Sequence, residues 1–179
     1  MENEFGNIDI TIHIRFDEYL TSGDLVNIVT SIERSVYKQE AILLKKLRKE
    51  FSDLPTVFFD AAEFRLQNNK GNTLHIKKAS EGSLILAGIA IGLSYWLLNQ
   101  TLGETIKEAW IESESHEKLK EYLKSNIFSK SKAIEKDIKK ELNKKGLSSE
   151  TQTIEHKKDK DGNDIDVKLN IHVDSNEDE

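Results

Sequence analysis

Five histidines are the residues of this chain best suited to chemistry: His13, His75, His116, His156 and His172. An imidazole can relay a proton near neutral pH or bind a metal ion. A helical zinc pair needs two of them four residues apart, and no two of the five have that spacing. There is no cysteine to complete a site, which also removes thiol nucleophiles and disulfides. Asp159-Lys-Asp161-Gly-Asn-Asp164 has the look of a calcium loop. An EF-hand, however, requires glycine at the sixth position and an acid at the twelfth, where this chain has Asp164 and Asn170. No glycine-rich loop is followed by the Lys-Ser/Thr that cradles phosphate. Glu114-Ser-His116-Glu117 is polar but lacks a nucleophile with an oriented base. The expectation is a protein that is not an enzyme, without cofactor or metal.

A second kind of chemistry concerns apolar surface. From residue 82 to residue 103 the chain carries no charge, although 32% of all its residues are charged. Within that run, Gly88 and Gly92 form a GxxxG motif, which lets two helix backbones approach closely. Tyr95 and Trp96 are amphipathic residues of the sort found near bilayer interfaces. Read as one helix over 84–98, the run has Leu84, Gly88, Ile91, Gly92, Tyr95 and Trp96 as its helix-assembly residues, although residues 84–86 could begin as a strand before the chain becomes helical. A helix over 82–103 would be ~33 Å long, close to the ~30 Å hydrocarbon core of a bilayer. The strongly apolar part covers only residues 84–98, nearer the length of a core helix or an interfacial segment. Asn99 and Gln100 would also be costly in lipid.

The elements around the run follow from periodicity. Ile8, Ile10, Ile12, Ile14 and Phe16 alternate with Asp9, Thr11, His13 and Arg15, the pattern of a strand with one buried face. Leu25, Val29, Ile32, Val36, Leu43, Leu47 and Phe51 recur at helical spacing, which predicts a long helix over 24–51. Its start is marked by Thr21, Ser22 and Asp24, and Pro55 lies just beyond its end. Residues 62–67 and 73–79 read as two short strands about a turn, with Phe64, Leu66, Leu74 and Ile76 on the buried face. Leu119, Leu123, Ile127 and then Ile134, Ile138, Leu142 predict two helices, or one bent at Ser129-Lys-Ser131. Residues 151–156 and 165–173 read as a hairpin. The stretch Leu169-Asn-Ile-His-Val173 echoes Ile10-Thr-Ile-His-Ile14, and two such strands could pair in one sheet.

Charge is segregated. Residues 118–145 hold ten lysines against four acids, while residues 159–179 hold eight acids against two lysines. The basic stretch lacks interleaved arginine, so nucleic acid is not an expected partner. The opening MENEFGNIDI is acidic and has no secretory pattern.

The order strand, long helix, two strands, then a Gly-Ser break into one apolar helix resembles small bacterial membrane effectors of anti-phage and nucleotide-signalling systems. The residues carrying it are 8–16, 24–51, 73–79 and Gly82-Ser-Leu-Ile-Leu86 with its continuation. The resemblance implies a soluble part that senses a nucleotide or protein trigger, and apolar helices that assemble and breach a membrane.

The expected fold class is α+β: a small mixed sheet with a long helix, one apolar helix, a charged helical arm and a C-terminal β-hairpin. The expected divisions are a soluble part (1–80), the apolar helix (81–104), the arm (105–146) and the hairpin with its acidic tail (147–179). The expected function is a non-enzymatic, homo-oligomeric membrane-associated protein, located at a bacterial inner membrane or in the cytoplasm with conditional membrane association. The alternative is a soluble α+β binding or scaffold protein with the apolar helix as its core.

Overall fold

The structure is a computed structural model that describes residues 7–16, 20–68, 74–80, 83–89, 114–157 and 165–174. It is mixed α+β, with a five-stranded sheet and helices. In chain order the elements are β1 (Asn7–Arg15), α1 (Ser22–Glu50), α2 (Thr56–Asn68), β2 (Leu74–Ser80), β3 (Ser83–Ile89), α3 (Glu114–Asn143), β4 (Ser148–Lys157) and β5 (Ile165–Asp174).

The strand order is β2-β3-β1-β5-β4. β1 is central, antiparallel to β3 and parallel to β5. The two echoing stretches pair residue for residue: Ile10 with Leu169, Thr11 with Asn170, Ile12 with Ile171, His13 with His172, Ile14 with Val173. Register follows burial here, because a slip by one residue would turn every isoleucine of β1 toward water. Ile8, Ile10, Ile12 and Ile14 of β1, and Val167, Leu169, Ile171 and Val173 of β5, are wholly buried. They pack against Ile28, Ile32 and Val36 of α1 and Ile127, Ile134, Ile138 and Leu142 of α3.

Both long helices overhang the sheet. α1 has 29 residues and α3 has 30, so each is ~45 Å long at ~1.5 Å per residue. The longest strands, at ten residues, reach only ~33 Å. α1 starts just after β1 ends and runs back past the Asp9 end of the sheet. Beyond that end a second core forms, where Leu43, Leu44 and Leu47 of α1 meet Phe59 and Ala62 of α2 and Leu119 and Leu123 of α3. Phe51 and Tyr122 meet edge to face at 5.7 Å within it.

Several expectations need correction. Residues 62–67 belong to helix α2 and are not a strand. β2 pairs with β3, and its register shifts between Ile76 and Lys78. Of the four residues expected on a buried face, Phe64 and Ile76 are 71% and 66% exposed, while Leu66 and Leu74 are half-buried. α3 is one continuous helix through Ser129-Lys-Ser131. Ser131 falls on the buried stripe itself, wholly enclosed, and its hydroxyl donates to the Phe128 carbonyl at 2.9 Å. A small side chain that satisfies its own hydroxyl can replace a leucine without breaking the helix.

The largest correction concerns the apolar helix expected over 84–98. Residues 83–89 form β3, hydrogen-bonded to β1 on one side and β2 on the other. Pairing on both edges satisfies the backbone, and Leu84 and Leu86 enter the core as alternate residues. Residues 90–98 lie outside the described residues, as do Asp159 to Asp164. Among the described residues no helix is long and apolar enough to cross a membrane.

The α3–β4 junction depends on one glycine. Gly146 has φ +76°, and the Leu147 N–H donates to the Leu142 carbonyl at 3.2 Å, closing the helix end. A Cβ there would meet nothing within 4 Å, so its cost is conformational only. Gly146→Ala is expected to lower stability by ~1–2 kcal/mol, read as a lower urea midpoint. Gly146→Asn should lose less, because asparagine tolerates this conformation.

Candidate functional site

Of the six expected helix-assembly residues, the described part of the chain contains two. Leu84 is buried in the core of its own chain. Gly88 lies within β3, opposite Ile10 on β1 and Leu74 on β2. Gly88 is a strand residue, so the GxxxG helix reading fails at its first glycine. Ile91, Gly92, Tyr95 and Trp96 lie outside the described residues.

Around them the fold sets a boundary condition. β3 ends at Ile89, opposite Asp9, at the end of the sheet that the helices overhang. α3 begins at Glu114, in the overhanging second core. Both attachment points of segment 90–113 thus belong to one sheet-and-helix body, and both lie toward the same pole. α2 lies at this pole too. Phe59 and Ala62 face inward, and Asp60 and Glu63 line one flank, where Arg48 reaches them at 2.7 and 3.7 Å. Val57 and Phe64, two helical turns apart, are 69% and 71% exposed on the side opposite the core.

The second feature is the face of the sheet turned away from α1 and α3. It carries Asp9, Thr11, His13 and Arg15 of β1 beside Lys168, Asn170, His172 and Asp174 of β5. On this face the His13 and His172 rings stack, centroids 4.9 Å apart and 17° from parallel. Burial depresses the His13 pKa below the ordinary histidine value, and His172, Arg15 and Lys77 add to that. Both histidines are half-buried and in contact. The echo between the two strands was the signal that could have revealed the pair. His75 lies on β2, opposite Ala87, and His156 on β4, opposite Asp166. His116 is buried in the first turn of α3.

The remaining polar clusters hold elements together. Thr151 and Thr153 of edge strand β4 donate to the Glu135 carboxylate on α3, which also takes Lys139 at 3.0 Å. Burial works to raise the Glu135 carboxyl, but these hydrogen bonds outweigh it and hold the group below the ordinary range. Asp137 behaves likewise, with burial outweighed by Lys38 at 2.7 Å and Gln39 at 2.6 Å. Deeper between α1 and α3, Lys130 pairs with Glu40, their side chains 10% and 4% exposed. Each cluster joins a helix to its neighbour, and each acid is engaged by a cation or by hydroxyls. Among the described residues no three histidines or carboxylates converge on a position where a metal ion could sit. No protein-family model, curated protein or solved structure matches the chain.

Proposed function

We propose that this is a non-enzymatic membrane-associated protein of the interfacial kind. In this reading the uncharged run lies in the headgroup region of a bilayer and does not cross it. The observation that carries the reading is that β1 pairs with β3 on one side and β5 on the other. A single crossing between residues 89 and 114 would put β3 and α3 on opposite sides of a bilayer. Both pack against β1, so that topology is unavailable to this fold.

Length supports the same reading. With β3 ending at Ile89, the uncharged run that remains is 90–103. As a helix it would extend ~21 Å, short of a ~30 Å hydrocarbon core. Tyr95 and Trp96 are near the middle of that stretch, and Asn99 and Gln100 follow. Those positions suit a segment lying in the headgroup layer, where amphipathic rings and amides keep their hydrogen bonds. In water the same surface would be covered by sister copies, so the resting protein is a homo-oligomer.

Electrostatics contribute little. Among the described residues, the exposed cations Lys45, Lys46, Arg48, Lys49 and Lys118 at this pole are outnumbered by exposed Glu50, Asp53, Asp60, Glu63, Glu114, Glu117 and Glu121. Binding should therefore persist on zwitterionic vesicles and be insensitive to salt, unlike that of a polybasic anchor. With Trp110 changed to Phe, Trp96 becomes the sole tryptophan reporter. Its emission should shift to the blue on phosphatidylcholine vesicles and be quenched more by lipids brominated near the headgroup than near the acyl end. Stronger quenching from the acyl end would indicate deep insertion. No flotation and no shift would favour the soluble binding or scaffold reading.

A further inference from the structure

We infer that the His13–His172 stack is an acid-sensitive clasp on the seam between the N-terminal strand β1 and the C-terminal strand β5. The inference is independent of what the uncharged run does.

The strand order makes this seam special. β2, β3 and β1 lie on one side of it, and β5 and β4 on the other. His13 and His172 face each other in register toward its Arg15 end, ring on ring. A metal ion is a poor occupant, because no third ligand group converges there among the described residues and zinc sites use three or four protein ligands. The proton remains as the ligand that two adjacent imidazoles can take near neutral pH.

The surroundings make a proton unwelcome on His13. On its own strand Arg15 is the next residue on the same face. From β2, Lys77 acts on it, and Lys78 lies opposite Ile85, the β3 partner of His13. The nearby acids lie on the far side of the pair: Glu150 of β4 is opposite His172, and Asp174 of β5 is opposite Arg15. Asp9 and Lys168 oppose each other further along the face. α1 and α3 pack on the other face of the sheet, so they present no charged group to the stack. Neutral rings stack; two charged rings 4.9 Å apart repel each other, with Arg15 and Lys77 adding to the positive charge.

The sign follows from linkage. His13 has a lower pKa folded than its ordinary value of 6.5. The unfolded chain then binds more protons as pH falls through 6.5, so stability is lost in that direction until the folded group also titrates. The depressed carboxyls of Glu135 and Asp137 also lose their contribution in acid. Their loss sets in as pH falls through the ordinary carboxyl values, 4.5 for Glu135 and 3.8 for Asp137, and leaves the window between 5 and 6.5 to histidine.

Urea midpoints of the full chain at pH 8 and pH 5 test the clasp in four proteins: wild type, His13→Gln, His172→Gln and the double variant. At pH 5 the wild type should lose more of its midpoint than His13→Gln does. The two substitutions should show a stabilising coupling at pH 8 that is lost or changes sign at pH 5. Equal losses in wild type and His13→Gln, or coupling unchanged between the two pH values, would overturn the proposal. Imidazole NMR titration of the unaltered protein gives an answer that needs no variant. His13 should titrate below 6.5, and a midpoint at or above that value would also overturn the clasp.

Discussion

Lys130→Met is expected to destabilise the protein by about 3–5 kcal/mol, the cost of leaving a buried charge without its partner. For a chain of this size that is a fall of about 6–20 °C in Tm. Lys130 and Glu40 meet between α1 and α3 with side chains 10% and 4% exposed, and the second carboxylate oxygen of Glu40, Oε2, has no hydrogen-bond partner among the described residues. The pair is thus incompletely satisfied, and removing the lysine makes the deficit larger. Changing Glu40 to Leu together with Lys130 to Met removes both charges and should recover most of the loss, since apolar replacements of buried pairs are often neutral or stabilising. Urea unfolding of the two single variants and the double variant measures this. A double variant as unstable as the worse single one would show that the pair holds α1 to α3 through more than mutual charge compensation.

Residues 1–80 expressed alone should show no cooperative unfolding transition. The sequence reads as though this part were a self-contained soluble unit, but the structure completes its central strand with segments from much later in the chain. Val167, Leu169, Ile171 and Val173 of β5 are wholly buried. At ~1.5–3 kcal/mol each, they contribute about 6–12 kcal/mol of burial, an upper bound because unfolded chains are partly compact. That is the size of a typical domain's whole stability, ~5–15 kcal/mol. The fragment also lacks β3 and α3, leaving both edges of β1 unpaired and Ile8, Ile10, Ile12 and Ile14 without most of their cover. A fragment with a sharp thermal transition and dispersed NMR signals would restore the division at residue 80.

These two expectations mark how far local pattern carries. β1 and β5 alternate without a fault, and α1 repeats at helical spacing between a threonine cap and a proline. The Thr21 hydroxyl does accept the Asp24 N–H at 3.0 Å, and α1 runs from Ser22 to Glu50 against the expected 24–51. α2 was misread because Val57 and Phe64 lie opposite Phe59 and Ala62. Apolar residues on both sides of a helix cancel the periodic signal that marks one buried face. At Ser129-Lys-Ser131 the periodic signal is interrupted for the reverse reason, since a serine occupies a buried position, and of the two helices or one that the pattern allows the structure has one. For the candidate sites, the echo of Ile-His in β1 and β5 was visible, but neither the parallel pairing nor the stacking of the rings was.

By itself the sequence determined where chain segments have one wet and one dry face, and hence β1, α1, β5, the terminal hairpin and the helical character of the charged arm. It also determined that thiol chemistry is absent. Only the tertiary structure decided that residues 83–89 are a strand, that Gly88 pairs with Ile10 and Leu74, and that His13 touches His172. An apolar run with few polar residues has no wet face to declare its period, so helix and strand are both open to it locally. The choice is made by the partner that satisfies its backbone, and for β3 that partner is a strand more than seventy residues earlier in the chain.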